Sequence, residues 1–412
     1  VLVAEPMSWL QSAAFTFLTP IGCIHDPVDR AGLSSFTCEM ALRGAGPRDS
    51  RQFILDLDNL GVERSESVSS AHTSYSGATL AENLPAALGI YADVLRRPHL
   101  PADQLESGRL AMIQELRAVE DEPAQKVMIE LRRRHYPEPW GRSAQGEQDA
   151  IEATTAADIR GQFDRCCRPN GTILGVAGRL DWPRLVDHVG ELLGDWLPGE
   201  PEPIMESPGV GRYQHLPYDS QQTQIGIAFD SVSYSDPDYF QAWGAVGVLS
   251  GGMSARLFTE VRERRGLCYS VYASLHTLLH RGAVFCYAGS GADRAQQTLD
   301  VTLSELVRLA DGIEDHEIER LKARIKSALV MQQESSSARS VSLARDWYHL
   351  GRARTLEEVG RLVDGLSSCG INRYLSEHKP AAFTVVTLGT HRLEVQTPVM
   401  GLELHAEPTQ VR

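Results

Sequence analysis

At 412 residues the chain is longer than one hydrophobic core usually serves, so two domains of roughly 200 residues are expected. Its 42% hydrophobic and 23% charged content is that of a folded globular protein and excludes a disordered or collagen-like chain. With 40 basic and 54 acidic residues the formal charge is −14, and no long Lys/Arg run occurs, which argues against nucleic acid or an anionic membrane as partner.

The first half opens with a strand-like run from Ala13 to Thr19. Helical patterns follow at Leu33 to Leu42 and Asp49 to Leu60, then Gly61 and a β-prone stretch through Ser65, Val68, Thr73 and Tyr75. Helices are expected at Leu84 to Leu95 and Ala102 to Glu120, and a buried strand at Thr172 to Ala177. Between Leu197 and Pro208, Pro198, Gly199, Pro201, Pro203 and Pro208 mix with Glu200, Glu202 and Glu206, which reads as an extended linker. It sets domains at 1–196 and 213–412, joined by 197–212.

The second half repeats the order. Thr223 to Phe229 is a strand, Phe240 to Leu249 and Leu257 to Arg264 are helical, and Gly266 opens a β-prone stretch through Tyr269, Val271 and Tyr272. A strand at Ala283 to Tyr287, helices at Ala292 to Leu309 and Asp315 to Gln333, and a strand at Phe383 to Leu388 complete it. The duplication predicts an α+β fold of two similar domains, each a mainly antiparallel sheet covered by helices.

Seven cysteines are scattered, only Cys166 and Cys167 being adjacent, and no C-x-x-C pair exists; neither a disulfide framework nor a thiolate zinc site is expected. The longest apolar stretches, such as Ala242 to Leu249, fall short of the roughly 20 residues of a membrane helix, and no signal peptide is read.

A zinc hydrolase needs imidazoles one helical turn apart and a nearby carboxylate, as in H-x-x-E-H; the chain has no such pattern. His276 and His280 have the spacing but no Glu between them, and read as exposed loop histidines; His316 to Arg320 reads as the charged first turn of a helix. Gly251-Gly252 lacks the frame of a phosphate-binding loop.

Ala31 to Gly44, A-G-L-S-S-F-T-C-E-M-A-L-R-G, resembles the metal-binding helix of the insulinase/pitrilysin (M16) zinc peptidases, keeping its frame at Gly32, Leu33, Phe36, Met40 and Gly44. The resemblance puts Ser35 at the first zinc-ligand position, Cys38 at the catalytic glutamate and Glu39 at the second ligand. Glu106 to Leu116 resembles the later helix bearing the third ligand, which maps to Glu115, with Gly108 at its upstream acidic position. Leu249 to Val271 is similar to the family's L-G-G-G-x-S-S-R-L-F segment and its continuation to G-L-[AC]-Y-S; Gly251 and Gly252 fall in its loop, and Arg256 is expected to support that loop.

In catalytically competent members an arginine and a tyrosine of this segment reach a zinc site, and they map to Arg262 and Tyr269. A serine hydroxyl is a poor zinc ligand and a thiol no substitute for a carboxylate base. The resemblance therefore implies a two-domain clam shell with no metal bound by this chain. It would be inactive alone and would lend Arg262 and Tyr269 to the zinc site of a zinc-bearing M16 partner that cuts peptides. A bacterial cytoplasm is the expected compartment, with a mitochondrial matrix the alternative. The competing expectations are a structural assembly subunit, a peptide-binding module, and a homodimeric enzyme with an unrecognised metal set.

Overall fold

The computed structural model describes residues 1–200, 203–209, 211–332 and 334–395; Pro201, Glu202 and Val210 of the linker and Gln333 of the expected helix lie outside them. The strands are β1 (Leu2–Pro6), β2 (Ser12–Thr19), β3 (Gly44–Ala45), β4 (Arg48–Asp49), β5 (Glu63–Val68), β6 (Thr73–Leu80), β7 (Ile173–Gly178), β8 (Tyr213–Pro217), β9 (Gln222–Ser231), β10 (Cys268–Thr277), β11 (Gly282–Gly291) and β12 (Thr384–Gly389). The helices of the first half are α1 (Leu33–Ala41), α2 (Ser50–Asn59), α3 (Leu84–Arg96), α4 (Leu105–Glu120), α5 (Pro123–His135), α6 (Gln148–Ala153), α7 (Ala156–Cys166) and α8 (Trp182–Leu193). Those of the second are α9 (Tyr239–Ser250), α10 (Ala295–Arg308), α11 (Asp315–Gln332), α12 (Ser336–Leu350), α13 (Leu356–Asp364) and α14 (Ser368–Glu377). The segment expected as an α-helix at Leu257 to Arg264 is instead a π-helical turn, Phe258–Glu263.

Among the described residues there are two five-stranded sheets, ordered β1-β7-β2-β6-β5 and β8-β12-β9-β11-β10. In each, the first strand pairs in parallel with the last and every other pairing is antiparallel. The duplication read from the sequence is thus a duplication of topology, and the fold is α+β. The period-2 alternation of β6, buried at Thr73, Tyr75, Gly77 and Thr79, turns one face of the first sheet onto its helices. There Phe15 stacks edge-on with Tyr91 at 5.0 Å, amid Phe17, Phe36, Phe53 and Tyr75. The second core gathers Ile225, Ile227, Leu249, Leu299, Leu306, Val386 and Leu388.

The chain divides into two compact units: Val1–Glu122 with Tyr136–Val210 and Arg324–Val363, and Pro123–His135 with Gly211–Ala323 and Asp364–Arg412. Compared with a division at the linker, two segments are exchanged. α5, from the first half, packs on β9 and β12; α12, from the second, packs on β2 and β7. The two seats differ in chemistry. On the second sheet, fully buried Leu131 of α5 fills the space above Gly226, and His135 Nδ1 lies 3.0 Å from Thr384 Oγ1. On the first, Ser340 of α12 meets Thr16 through their hydroxyls at 3.0 Å, and buried Arg339 ion-pairs with Glu5 at 2.5 Å. Gly175 of β7 lets the helix come close, because a Cβ there would lie 2.4 Å from the Ser340 carbonyl oxygen. Among the described residues no helix is long and apolar enough to cross a membrane.

Candidate functional site

The N-terminus of α1 is fixed by a buried carboxylate. Asp26 accepts hydrogen bonds from the backbone N–H of Gly32 and of Ser34 at 2.9 Å, and from the Ser34 hydroxyl at 2.5 Å. Burial pushes the Asp26 carboxyl up to about 6, against the pull of these bonds.

From that anchored start, α1 sends its mapped positions in different directions. Ser35 donates its hydroxyl to the Ala144 carbonyl at 2.6 Å. Cys38 points inward, 8% exposed, and hydrogen-bonds with the Tyr75 hydroxyl; burial first, then the charges of Glu66, Glu39 and Glu115, push its thiol up to about 12. Glu39, one residue on and so about 100° round the helix, ion-pairs with Arg43 at 2.7 Å. Glu115 is an exposed residue of α4 whose carboxyl is raised by partial desolvation and then by the charge of Glu39. The glycine at the upstream acidic position has a steric cause: a Cβ on Gly108 would lie 2.7 Å from Met40 Sδ and 3.0 Å from the Phe36 ring. Among the described residues no group of three or more His, Cys, Asp and Glu side chains is arranged to hold a metal ion.

Sequence reasoning missed the groups that complete this region. Glu66 of the edge strand β5 accepts a hydrogen bond from the buried Tyr91 hydroxyl at 3.1 Å, and Arg64 lies 3.7 Å from the same carboxylate. Arg109 of α4 donates to the carbonyls of Glu152 and Thr154 at 2.9 Å while covering the Phe36 ring. The only sequence signal for these was their alternation or helical spacing, which states burial and not pairing.

The second constellation lies in the other unit, on the π-helical turn and β10, the edge strand of its sheet. The register of β10 against β11 shifts between Cys268 and Ser270, so Tyr269 sits in a bulge. Its side chain turns outward, 83% exposed. Arg262 stacks over the Phe258 ring at 4.7 Å and the Tyr269 ring at 5.1 Å. Among the described residues neither the Arg262 guanidinium nor the Tyr269 hydroxyl makes an ion pair or hydrogen bond.

Their neighbours are tightly held by contrast. Glu260, buried beneath the turn, ion-pairs with Arg264 at 2.5 Å and Arg265 at 2.7 Å. Arg256 makes a forked pair with Glu317 at 2.7 and 2.8 Å and donates to the Gly312 carbonyl. Gly251 ends α9 and Gly252, at φ 149, turns the loop; with Ser250, Met253, Phe258, Val271 and Tyr272, Gly252 lines a pocket of about 230 Å3. The expected loop histidine His276 is instead in β10, half-buried, its ring edge-on to Phe285 at 5.6 Å. Strand pairing with β11 takes it out of the loop.

Residues 9–143 match the model of the insulinase family, peptidase family M16, and residues 153–325 match the model described as the peptidase M16 inactive domain. The chain belongs to peptidase family M16. Across 398 residues this M16 chain is 26% identical to a Mycobacterium tuberculosis protein called an uncharacterized zinc protease, covering 95% of this chain and 91% of that one. A Bacillus subtilis uncharacterized zinc protease is 24% identical over 381 residues, 90% and 91% of the two chains. Among solved structures, an M16 inactive domain from Pseudomonas fluorescens superposes with a TM-score of 0.86 at 19% identity, covering 96% of each chain. A protease from Helicobacter pylori gives 0.86 at 17% identity, covering 94% and 96%. These two establish the M16 two-domain fold for this chain.

Proposed function

We propose that this M16 chain is a non-catalytic subunit that binds no zinc itself and supplies Arg262 and Tyr269 to the zinc site of a zinc-bearing M16 partner. The observation that carries the reading is the stack of part-exposed Arg262 on exposed Tyr269, whose polar ends have no partner among the described residues. The α1 donor set does not fit zinc: Ser35 is committed to a carbonyl, Cys38 is held as a thiol, and Glu39 is paired with Arg43. No step of hydrolysis is therefore assigned to α1.

In the composite site a phenol O–H donated to the tetrahedral oxyanion stabilises charge that develops only in the transition state, worth about 2.7–4 kcal/mol per donor. Arg262 offers a planar fork of N–H donors to a peptide carbonyl or carboxylate. The peptide would bind extended, along a sheet edge of the zinc-bearing subunit.

The test is zinc content and peptidase activity of the purified chain, alone and mixed with a zinc-bearing M16 subunit from the same source. A metal-free, inert chain whose mixture cuts peptides, and loses that activity with Tyr269→Phe, is the expected result. Stoichiometric zinc and activity in the lone chain would overturn it. Activity of the mixture that ignores Tyr269→Phe would instead favour an assembly or peptide-binding subunit.

A further inference from the structure

A second feature lies away from both constellations, where the end of α12 meets the turn between β5 and β6. His72, 8% exposed, sits at the end of that turn. The turn is rigidly held: the Ser69 N–H donates to the His72 carbonyl at 2.7 Å and the His72 N–H to Ser69 Oγ at 3.1 Å. It is further bonded to the 3-10 turn Cys23–His25 through Cys23 N to Ser69 O at 3.1 Å and Ile24 N to Ser70 O at 3.0 Å. Gly22 leaves no slack, since a Cβ there would lie 2.3 Å from Ser70 O.

Against this fixed turn α12 places an aromatic ring. Tyr348 meets the His72 imidazole edge-to-face at a centroid distance of 4.2 Å, and His349 lies beside Tyr348 at 4.7 Å. Among the described residues the His72 ring nitrogens have no hydrogen-bond partner. The titratable groups facing His72 are His349 from α12 and His25 from the 3-10 turn, neither of them a carboxylate. Around His349 stand Arg345, Asp346 and Arg354, and the one carboxylate there is already paired with Arg354 at 2.7 Å. A cation formed at this junction would thus be buried beside other cations.

We propose that His72 and the Tyr348–His349 end of α12 form an acid-released latch: protonation of the imidazoles lifts the last turns of α12 from the β5–β6 turn. Burial first, and then neighbouring positive charge, lowers both histidines to about 4. The sign follows. A base with a depressed folded pKa holds its stabilising effect above its ordinary value of 6.5 and loses it as pH falls from there toward 4. At pH 5 each such histidine favours the open form by about 30-fold over pH 7.5. Release would uncover the β5–β6 turn, which leads into β5, the edge strand that carries Glu66.

Hydrogen–deuterium exchange of the full chain at pH 7.5 and 5.0, corrected for intrinsic rates and referenced to α10, tests this. The expected result is a loss of protection at 343–350 and 69–73 of about 30-fold or more at pH 5. In His72→Phe, which keeps a ring against Tyr348 but takes up no proton, the loss should be at least about tenfold smaller. No pH-dependent loss in the natural chain, or an equal loss in His72→Phe, overturns the latch. Should that variant not fold, NMR titration of the natural His72 decides: a midpoint below about 5.5 supports the latch and one at or above its ordinary value overturns it.

Discussion

The two units carry the same strand order, yet their corresponding edges have gone opposite ways. In the first, β5 brings Glu63, Arg64 and Glu66 to the edge; Arg64 covers Phe53 of α2 and Glu66 takes the Tyr91 hydroxyl, so the last two are satisfied internally. In the second, β10 has no charged residue, Arg262 covers Phe258 in the same manner, and Tyr269 is turned outward by a bulge with its hydroxyl unpaired among the described residues. One edge is thus closed by its own side chains and the other left open, and under the proposed function the open one is the edge that serves a partner.

The widest separation between the two regions should come from Tyr269→Phe and Arg262→Ala. Each is expected to lower peptide hydrolysis by the mixture by about 10²–10³ while leaving the thermal midpoint of the lone chain unchanged, as measured by kinetics and calorimetry. Cys38→Glu should do the reverse. It places a carboxylate in a buried seat already near Glu66, Glu39 and Glu115, and urea unfolding should show a loss of about 3 kcal/mol with no gain of bound zinc.

A smaller effect is expected of Tyr91→Phe, which strips Glu66 of its donor and should cost about 1–2 kcal/mol by the same measurement. The smallest is chemical. Cys369 is the exposed thiol of the seven, and burial pushes Cys38 and Cys286 up to about 12 and Cys268 to about 11. A disulfide reagent on the native chain should therefore titrate one thiol quickly.

Much of this comparison was legible in the sequence. Alternation and helical spacing gave the repeated order of elements, and the frame from Leu249 to Val271 drew attention to Arg262 and Tyr269. The missing part is what spacing does not encode. α5 was unread because Arg132-Arg133-Arg134 and its few apolar residues, with Val127 and Leu131 buried, make a weak periodic signal. α12 was unread because its inner face is largely small and hydroxylic, Ser336, Ser340 and Ala344, a composition that resembles a loop. The bulge at Tyr269 and the π-helical turn beneath it depend on pairing with β11 and on the Glu260 ion pairs, both set by tertiary contacts.

The exchanged helices have a consequence for dissecting the molecule genetically. A gene fragment ending at the linker would encode the first sheet without α12, leaving Thr16 and Glu5 facing water, and would carry α5 with Leu131 exposed. The complementary fragment would bring α12 and lack α5. Neither fragment coincides with one of the two compact units. Each is half of a reciprocal pair, so the two, expressed together from separate messages, should restore one another where either alone precipitates.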